Sequence, residues 1–136
     1  MMPFTIVTPN GVLYQDDVEK VTIPTQAGEI TILEAHAPMV SIIQAGEMHI
    51  HKDGNVVPLA VSTGFMEMRP TGELFIIADT AERAEDIDLS RAEAAKARAE
   101  ELLKQQDNMA DVDFARIQAS IEKELARISV GKKYRR

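Results

Sequence analysis

The sequence has no cysteine and no tryptophan among its 136 residues. Without cysteine there are no disulfides, no thiolate metal ligands and no cysteine nucleophile. The redox state of the compartment therefore goes unread, although a reducing cytoplasm is compatible. Aromatic residues make up only 4%, so any core must be aliphatic, with some of the 7 methionines as gap-fillers. Positive charge is also short. The 15 Lys and Arg face 22 Asp and Glu, for a net charge of −7, which disfavours general nucleic-acid binding. No long hydrophobic run occurs. A membrane-spanning helix needs about 20 apolar residues, and runs such as Leu74–Ala78 are far shorter. No basic residue precedes Lys20, so a secretory signal is not expected, and the start lacks the Arg- and Ser-rich pattern of a transit peptide. With 45% hydrophobic and 27% charged residues, the composition is that of a soluble globular chain. No direct membrane insertion is expected.

Proline and glycine are missing from residues 73–130, although the chain has 6 and 7 of them in all. Charge divides in the same way. Residues 1–85 carry 4 basic and 12 acidic side chains, and residues 86–136 carry 11 and 10. Two architectures are therefore expected: one over residues 1–86, the other over residues 87–136.

The first part reads as short strands. Residues 4–8, 18–23, 29–33, 48–51, 56–61, 65–68 and 74–78 are rich in Val, Ile, Thr and Phe, and several alternate. Turn signals such as Asp53-Gly54 and Thr71-Gly72 separate them. Many short strands at regular spacing imply an antiparallel sandwich or barrel. Asp16-Asp17 and Glu85-Asp86 read as turn or cap residues.

The second part reads as two helices joined by a short break at residues 106–112, hence an antiparallel hairpin. Residues 89–105 are dense in strong helix formers. Asp88 is the expected N-cap, and Ser90 with Glu93 offers a capping box. Ala92, Ala95 and Ala99 draw a small-residue face. Such a face buries little area, so the hairpin should be held to the strands weakly. On the second helix Phe114, Ile117, Ile121, Leu125 and Ile128 form one apolar stripe.

Arg91 and Arg98 lie two helical turns apart, and Lys123 and Arg127 one turn apart. Two readings stand. The four cations converge on a polyanion such as a nucleotide phosphate when the hairpin closes, or they form a solvated face paired with Glu93, Glu100, Glu101, Glu122 and Glu124. His49 and His51 share a strand face, as half of a metal site or as polar residues of an edge strand. His36 stands before Ala37-Pro38, in a loop that proline fixes. The terminal Lys132, Lys133, Arg135 and Arg136 read as a solvated end or as a contact for an acidic surface. Gly-rich phosphate loops, nucleophile elbows and paired-His zinc motifs are all missing. No catalytic residue can be nominated.

Several stretches together resemble the epsilon subunit of F-type ATP synthase. They are Val7-Thr8-Pro9-Asn10-Gly11 with Tyr14, then Val21-Thr22-Ile23-Pro24 with Gly28-Glu29-Ile30, then His36-Ala37-Pro38, Gly64-Phe65-Met66-Glu67, and Ala78-Asp79-Thr80-Ala81-Glu82 with Glu85-Asp86-Ile87-Asp88. The resemblance spans essentially the whole chain in order. It implies an N-terminal β-sandwich of about ten short strands and a mobile C-terminal helical hairpin. It also implies a non-catalytic subunit that couples proton-driven rotation to ATP synthesis and restrains hydrolysis. The implied partners are the gamma subunit and the c-subunit ring, with the alpha and beta subunits when the hairpin extends. His36 and Pro38, with the basic C-terminus, are the implied contacts. The implied location is peripheral, on the cytoplasmic face of a bacterial plasma membrane, or the stromal face of a thylakoid for a plastid-encoded chain.

ATP-binding bacterial members carry an Ile/Leu-Asp-x-x-Arg-Ala motif. Ile87, Asp88, Arg91 and Ala92 match it in full. Glu82, Arg98 and Arg127 fit that family's further ligand positions. Lys123 stands where those members have Arg, so the charge is kept and the planar fork is lost. ATP is thus implied as a regulatory ligand, held less firmly at that position. The alternative carried beside this is a stand-alone ligand-binding sandwich with a structural helical tail; a small enzyme is a third reading with no residues to support it.

Overall fold

The structure is a computed structural model that describes residues 1–105 and 110–134. Ten strands precede two helices. The strands are β1 (Met2–Thr8), β2 (Gly11–Val18), β3 (Lys20–Thr25), β4 (Gly28–Leu33) and β5 (Met39–Ile43), followed by β6 (Gly46–Lys52), β7 (Asn55–Val61), β8 (Gly64–Met68), β9 (Leu74–Ala78) and β10 (Ala81–Arg83). A 3₁₀ turn, Ala84–Asp86, leads into α1 (Leu89–Gln105) and α2 (Asp111–Lys133).

The strands pair in the order β10-β7-β6-β3-β5-β8-β9-β1-β2, with β4 on the free edge of β3. β3 holds two neighbours on its other edge. Lys20, Val21 and Thr22 pair with β6, and only Thr25 pairs with β5. That single pair is where the ladder passes from one layer of the sandwich to the other. Every pairing is antiparallel except β1 with β9. The core between the layers is built by alternation. Met2, Phe4 and Ile6 of β1 face Val21, Ile23, Ile32, Met48, Ile50 and Leu59 from other strands, all of them buried. Met66 and Met68 are also buried in it, the aliphatic and methionine-filled core the composition requires.

The pairing of β8 with β9 requires Gly64. A Cβ there would lie 2.1 Å from the Ile77 carbonyl oxygen. Three strands carry no apolar alternation and escape a sequence reading. β2 is a polar edge strand, β5 points Val40 and Ile42 outward, and β10 is three residues long. Asp16 and Asp17 therefore lie in β2 rather than in a turn, where Asp16 accepts a hydrogen bond from Lys52 of β6. Charge on an edge strand discourages pairing with another chain. Glu85 and Asp86 do lie in a turn, the 3₁₀ one.

The hairpin is closed onto the sandwich. α2 packs on β6, β7 and the 3₁₀ turn, and α1 packs on α2. Asp88 caps α1 by accepting the Arg91 backbone N–H at 3.1 Å. The Ser90–Glu93 box does not form, because Ser90 already lies inside the helix and Glu93 reaches Lys132 instead. Ala92 and Ala99 are buried, as the small-residue face predicts. The stripe on α2 needs correction. Ile121 is buried, but Phe114 and Leu125 are exposed by 51% and 46%. α2 is clasped between α1 and the sandwich, so its buried surface also takes in Glu124, Ala126, Val130 and Gly131. Small residues let the backbone approach, which an apolar stripe does not reveal. The break read at residues 106–112 falls largely outside the described residues.

Candidate functional site

Glu82 sits on β10, the strand that β7 places beneath α2. One helical turn separates Lys123 and Arg127 and points both at this region. Arg127 Nε donates to Glu82 Oε2 at 2.8 Å, and Nη1 donates to Glu124 Oε2 at 2.9 Å. Lys123 Nζ stands 3.7 Å from Glu124 Oε1. The Glu124 side chain is only 4% exposed, and a carboxylate so buried needs its cations close. Burial works to lower the Arg127 guanidinium, but hydrogen bonds to Glu82 and Glu124 outweigh it and raise it. Glu82, Lys123 and Arg127, with Val61, Thr80 and Ala81, line a cleft of about 180 Å³.

The remaining motif residues take different places. Ile87 lines a separate, larger cleft of about 630 Å³ with Pro58, Arg83, Leu89, Gly131 and Tyr134. Gly131 fits there because a Cβ would lie 2.8 Å from Leu89 Cδ2 and 3.1 Å from Ile87 Cγ2. The Asp88 carboxylate is the helix cap. Ala92 is fully buried and packs the hairpin. Arg91 and Arg98 are exposed, and among the described residues neither forms an ion pair.

One flank of the hairpin is marked by Glu93 of α1, which meets Lys132 of α2 at 3.8 Å. At about 100° per residue, Arg91 and Arg98 lie roughly 140–160° around α1 from Glu93. By the same count Lys123 and Arg127 lie roughly 140–180° around α2 from Lys132. All four cations therefore belong to the opposite flank. Two are engaged by carboxylates and two are free.

The basic C-terminus is tied down as far as it is described. Lys133 Nζ reaches Glu47 Oε2 at 3.2 Å, and Lys132 reaches Glu93. Arg135 and Arg136 lie outside the described residues. His49 is not on an edge, since β6 lies between β3 and β7. Its Nε2 is 2.8 Å from Glu47 Oε1 and 3.1 Å from the Tyr134 hydroxyl. Burial works to raise the Glu47 carboxyl, but hydrogen bonds from Tyr134, His49 and Lys133 outweigh it and hold it below its ordinary value. This clamp between β6 and the end of α2 joins residues 85 apart and leaves no sequence signal. His36 is half-buried in the loop between β4 and β5, its N–H donating to the Leu33 carbonyl at 3.1 Å, and Pro38 is exposed beside it.

A second surface feature crosses the outer face of the other layer. Ile42, Phe65, Ile77, Val7 and Val12 are cross-strand neighbours in succession over β5, β8, β9, β1 and β2. Ile42, Phe65, Ile77 and Val12 are 43%, 58%, 50% and 61% exposed. An unbroken apolar row of this kind is uncommon on an unpartnered surface.

Comparison with known proteins separates these possibilities. The family described as "ATP synthase, Delta/Epsilon chain, beta-sandwich domain" matches residues 1–84, and "ATP synthase, Delta/Epsilon chain, long alpha-helix domain" matches residues 85–132. The chain belongs to the ATP synthase Delta/Epsilon family. Its similar relatives include the ATP synthase epsilon chain of Herpetosiphon aurantiacus, 39% identical over 93% of this chain and 91% of that one. The epsilon chain of Chloroflexus aggregans is 42% identical over 92% of this chain and 88% of its own length. A chain in the cryo-EM structure of Euglena gracilis mitochondrial ATP synthase, OSCP/F1/c-ring in rotational state 1, is similar with a TM-score of 0.72 at 25% identity. That similarity covers 96% of this chain and 80% of that chain. The ten strands and two helices thus fit the Delta/Epsilon family over nearly the whole chain.

Proposed function

We propose that this chain is the epsilon subunit of a rotary ATP synthase, a non-catalytic stalk component whose helical hairpin senses ATP. Residues 1–86 dock the stalk and residues 87–136 carry the sensor. The apolar row through Ile42, Phe65 and Ile77 supports docking to the gamma subunit, and the loop at His36 and Pro38 is offered to the c-subunit ring. No helix among the described residues is long and apolar enough to cross a membrane, which suits a peripheral subunit. Its place is the cytoplasmic face of a bacterial plasma membrane. A stand-alone ligand-binding sandwich has no observation in its favour once the family match spans both parts.

The observation that carries the sensing role is the cleft that Glu82 shares with Lys123 and Arg127, on the flank of the hairpin to which helical spacing also turns Arg91 and Arg98. Only closure brings the cations of both helices together. A polyphosphate therefore stabilises the closed form over the extended one, and equal affinity for both would shift nothing. At ten times its dissociation constant, ATP favours the closed form by about 1.4 kcal/mol. When ATP falls, the hairpin extends along gamma, and Lys132, Lys133, Arg135 and Arg136 become available to acidic surfaces of the alpha and beta subunits.

Titration calorimetry of the full chain tests this. The wild type should give heat with ATP, and Arg91→Ala should weaken binding by about tenfold or more. No ATP heat, or equal affinity in Arg91→Ala, would remove the sensing role and leave the stalk role standing.

A further inference from the structure

A cleft of about 630 Å³ lies at the foot of the hairpin, apart from Lys123 and Arg127. Small-molecule sites run from about 300 to 1,000 Å³, so it is of ordinary size for one. Three parts of the chain build it. Val57 and Pro58 of β7 form the sandwich wall, and Ala84, Ile87 and Leu89 form the junction wall. Gly131 and Tyr134, at the end of α2, form the third. Ile87 and Leu89 are large, apolar and only half-buried, which leaves apolar surface for a ligand to cover. Gly131 lets the walls meet, since a Cβ there would press on Leu89 and Ile87. Tyr134 is fixed to the sandwich, its hydroxyl 3.1 Å from His49 Nε2 of β6.

Two charged residues share the lining. The Arg83 guanidinium lies 5.6 Å from the centroid of the Tyr14 ring and forms no ion pair among the described residues. Glu85 is exposed on the same cleft. Arg83 favours one negative charge on a ligand, and Glu85 opposes a second by like-charge repulsion. A polyphosphate does not suit such a lining. An apolar body that carries one carboxylate or sulfonate does.

We propose that this cleft binds an apolar monoanion, and that it does so only in the closed hairpin. Extension carries Gly131 and Tyr134 away from Pro58 and dismantles the site. The ligand therefore favours closure through its unequal affinity for the two states. Binding stands on the cleft alone, and the effect on closure rests on the mobile hairpin of the function proposed above.

The test uses the full chain without ATP, so the sensing role does not enter it. The probe is anilinonaphthalene sulfonate, an apolar monoanion, with uncharged phenylnaphthylamine beside it. Amide shifts in NMR should change around Val57, Ala84, Leu89 and Gly131. Arg83→Gln should weaken the sulfonate about tenfold and leave the uncharged probe unchanged. Ala84→Phe, which fills the cleft, should abolish binding of both, with circular dichroism to confirm folding. Shifts centred on Ile42, Phe65 and Ile77, equal sulfonate affinity in Arg83→Gln, or retained binding in folded Ala84→Phe overturns the site. At ten times its dissociation constant, the sulfonate should slow hydrogen exchange across α2 by about tenfold and leave the sandwich core unchanged. Because the chain has no native cysteine, Gln15→Cys and Ala97→Cys allow clean spin labelling of sandwich and hairpin. The labels should show only the closed distance at saturation. Unchanged exchange in α2, or an open population that persists at saturation, overturns the effect on closure. An α2 that exchanges as slowly as the sandwich core without the probe overturns the mobile hairpin itself.

Discussion

At Arg127 a single guanidinium ties β10 to the turn of α2 that carries Glu124. Its planar fork reaches Glu82 and Glu124 at once, which an ammonium group cannot reproduce. Arg127→Lys keeps the charge and loses the fork. Docking of α2 should weaken by roughly 1–3 kcal/mol. Hydrogen exchange across α2 should quicken by about tenfold or more, with exchange in the sandwich core unchanged. Equal exchange rates in α2 would show that Arg127 contributes nothing to closure. Some of this was legible in the sequence. The one-turn spacing of Lys123 and Arg127 puts them on one face, and the family resemblance named Glu82 as a further ligand position without saying which cation it meets. Glu124 read as an ordinary surface partner. Spacing along a helix does not say which turns another element will cover, and Glu124 becomes informative only once that side of α2 is buried.

Elements differ in how much of themselves they announce. α1 runs from Leu89 to Gln105, as its run of helix formers and the cap at Asp88 imply. β2, β5 and β10 were silent because edge strands and outward-facing apolar residues break the alternation on which strand reading depends. The end of α2 was silent for another reason: its clamp is made by tertiary contact alone. Glu47 of β6 meets Lys133 and His49 there, and Tyr134 adds a hydrogen bond. This clamp predicts a pH dependence of hairpin docking. The Glu47 carboxyl is held below its ordinary value of 4.5, so its contribution is complete above that value. The contribution is lost as pH falls through the lowered value. At the alkaline end, the Glu47 hydrogen bond and charge, with the Tyr134 charge, raise the Lys133 ammonium, and the Glu47 hydrogen bond and burial raise the Tyr134 hydroxyl. Their contributions are present below the ordinary values and fade as pH rises through the raised ones. Label distances between hairpin and sandwich should therefore lengthen at both extremes. In Glu47→Gln the acid-side change should disappear and the neutral-pH open fraction should rise. A variant with the wild-type acid response would place the titration elsewhere.

For the whole molecule, the loss of proline and glycine beyond residue 72, apart from Gly131, marks where strands give way to helices. What the sequence could not show is that the two parts present separate surfaces. The apolar row through Ile42, Phe65 and Ile77 lies on the β5-β8-β9-β1-β2 layer, whereas α2 covers β6 and β7 of the other. If that row is the stalk-docking face proposed above, docking and closure of the hairpin use different faces and can be broken independently. Phe65 is 58% exposed, so Phe65→Asp should cost the isolated chain less than about 1 kcal/mol. Placed at the centre of the row, the carboxylate should abolish co-purification with the gamma subunit. Retained co-purification would move the docking face elsewhere. Removing residues 87–136 tests the converse. The surface uncovered on β6 and β7 bears Glu47, His49, Pro58 and Ala60, polar or small groups that tolerate water. The remaining sandwich should stay folded and keep its hold on gamma, while ATP hydrolysis by the assembled complex should rise because nothing is left to extend and obstruct rotation. Loss of assembly on the same deletion would instead make the hairpin part of the docking surface, and the separation of the two faces would fail with it.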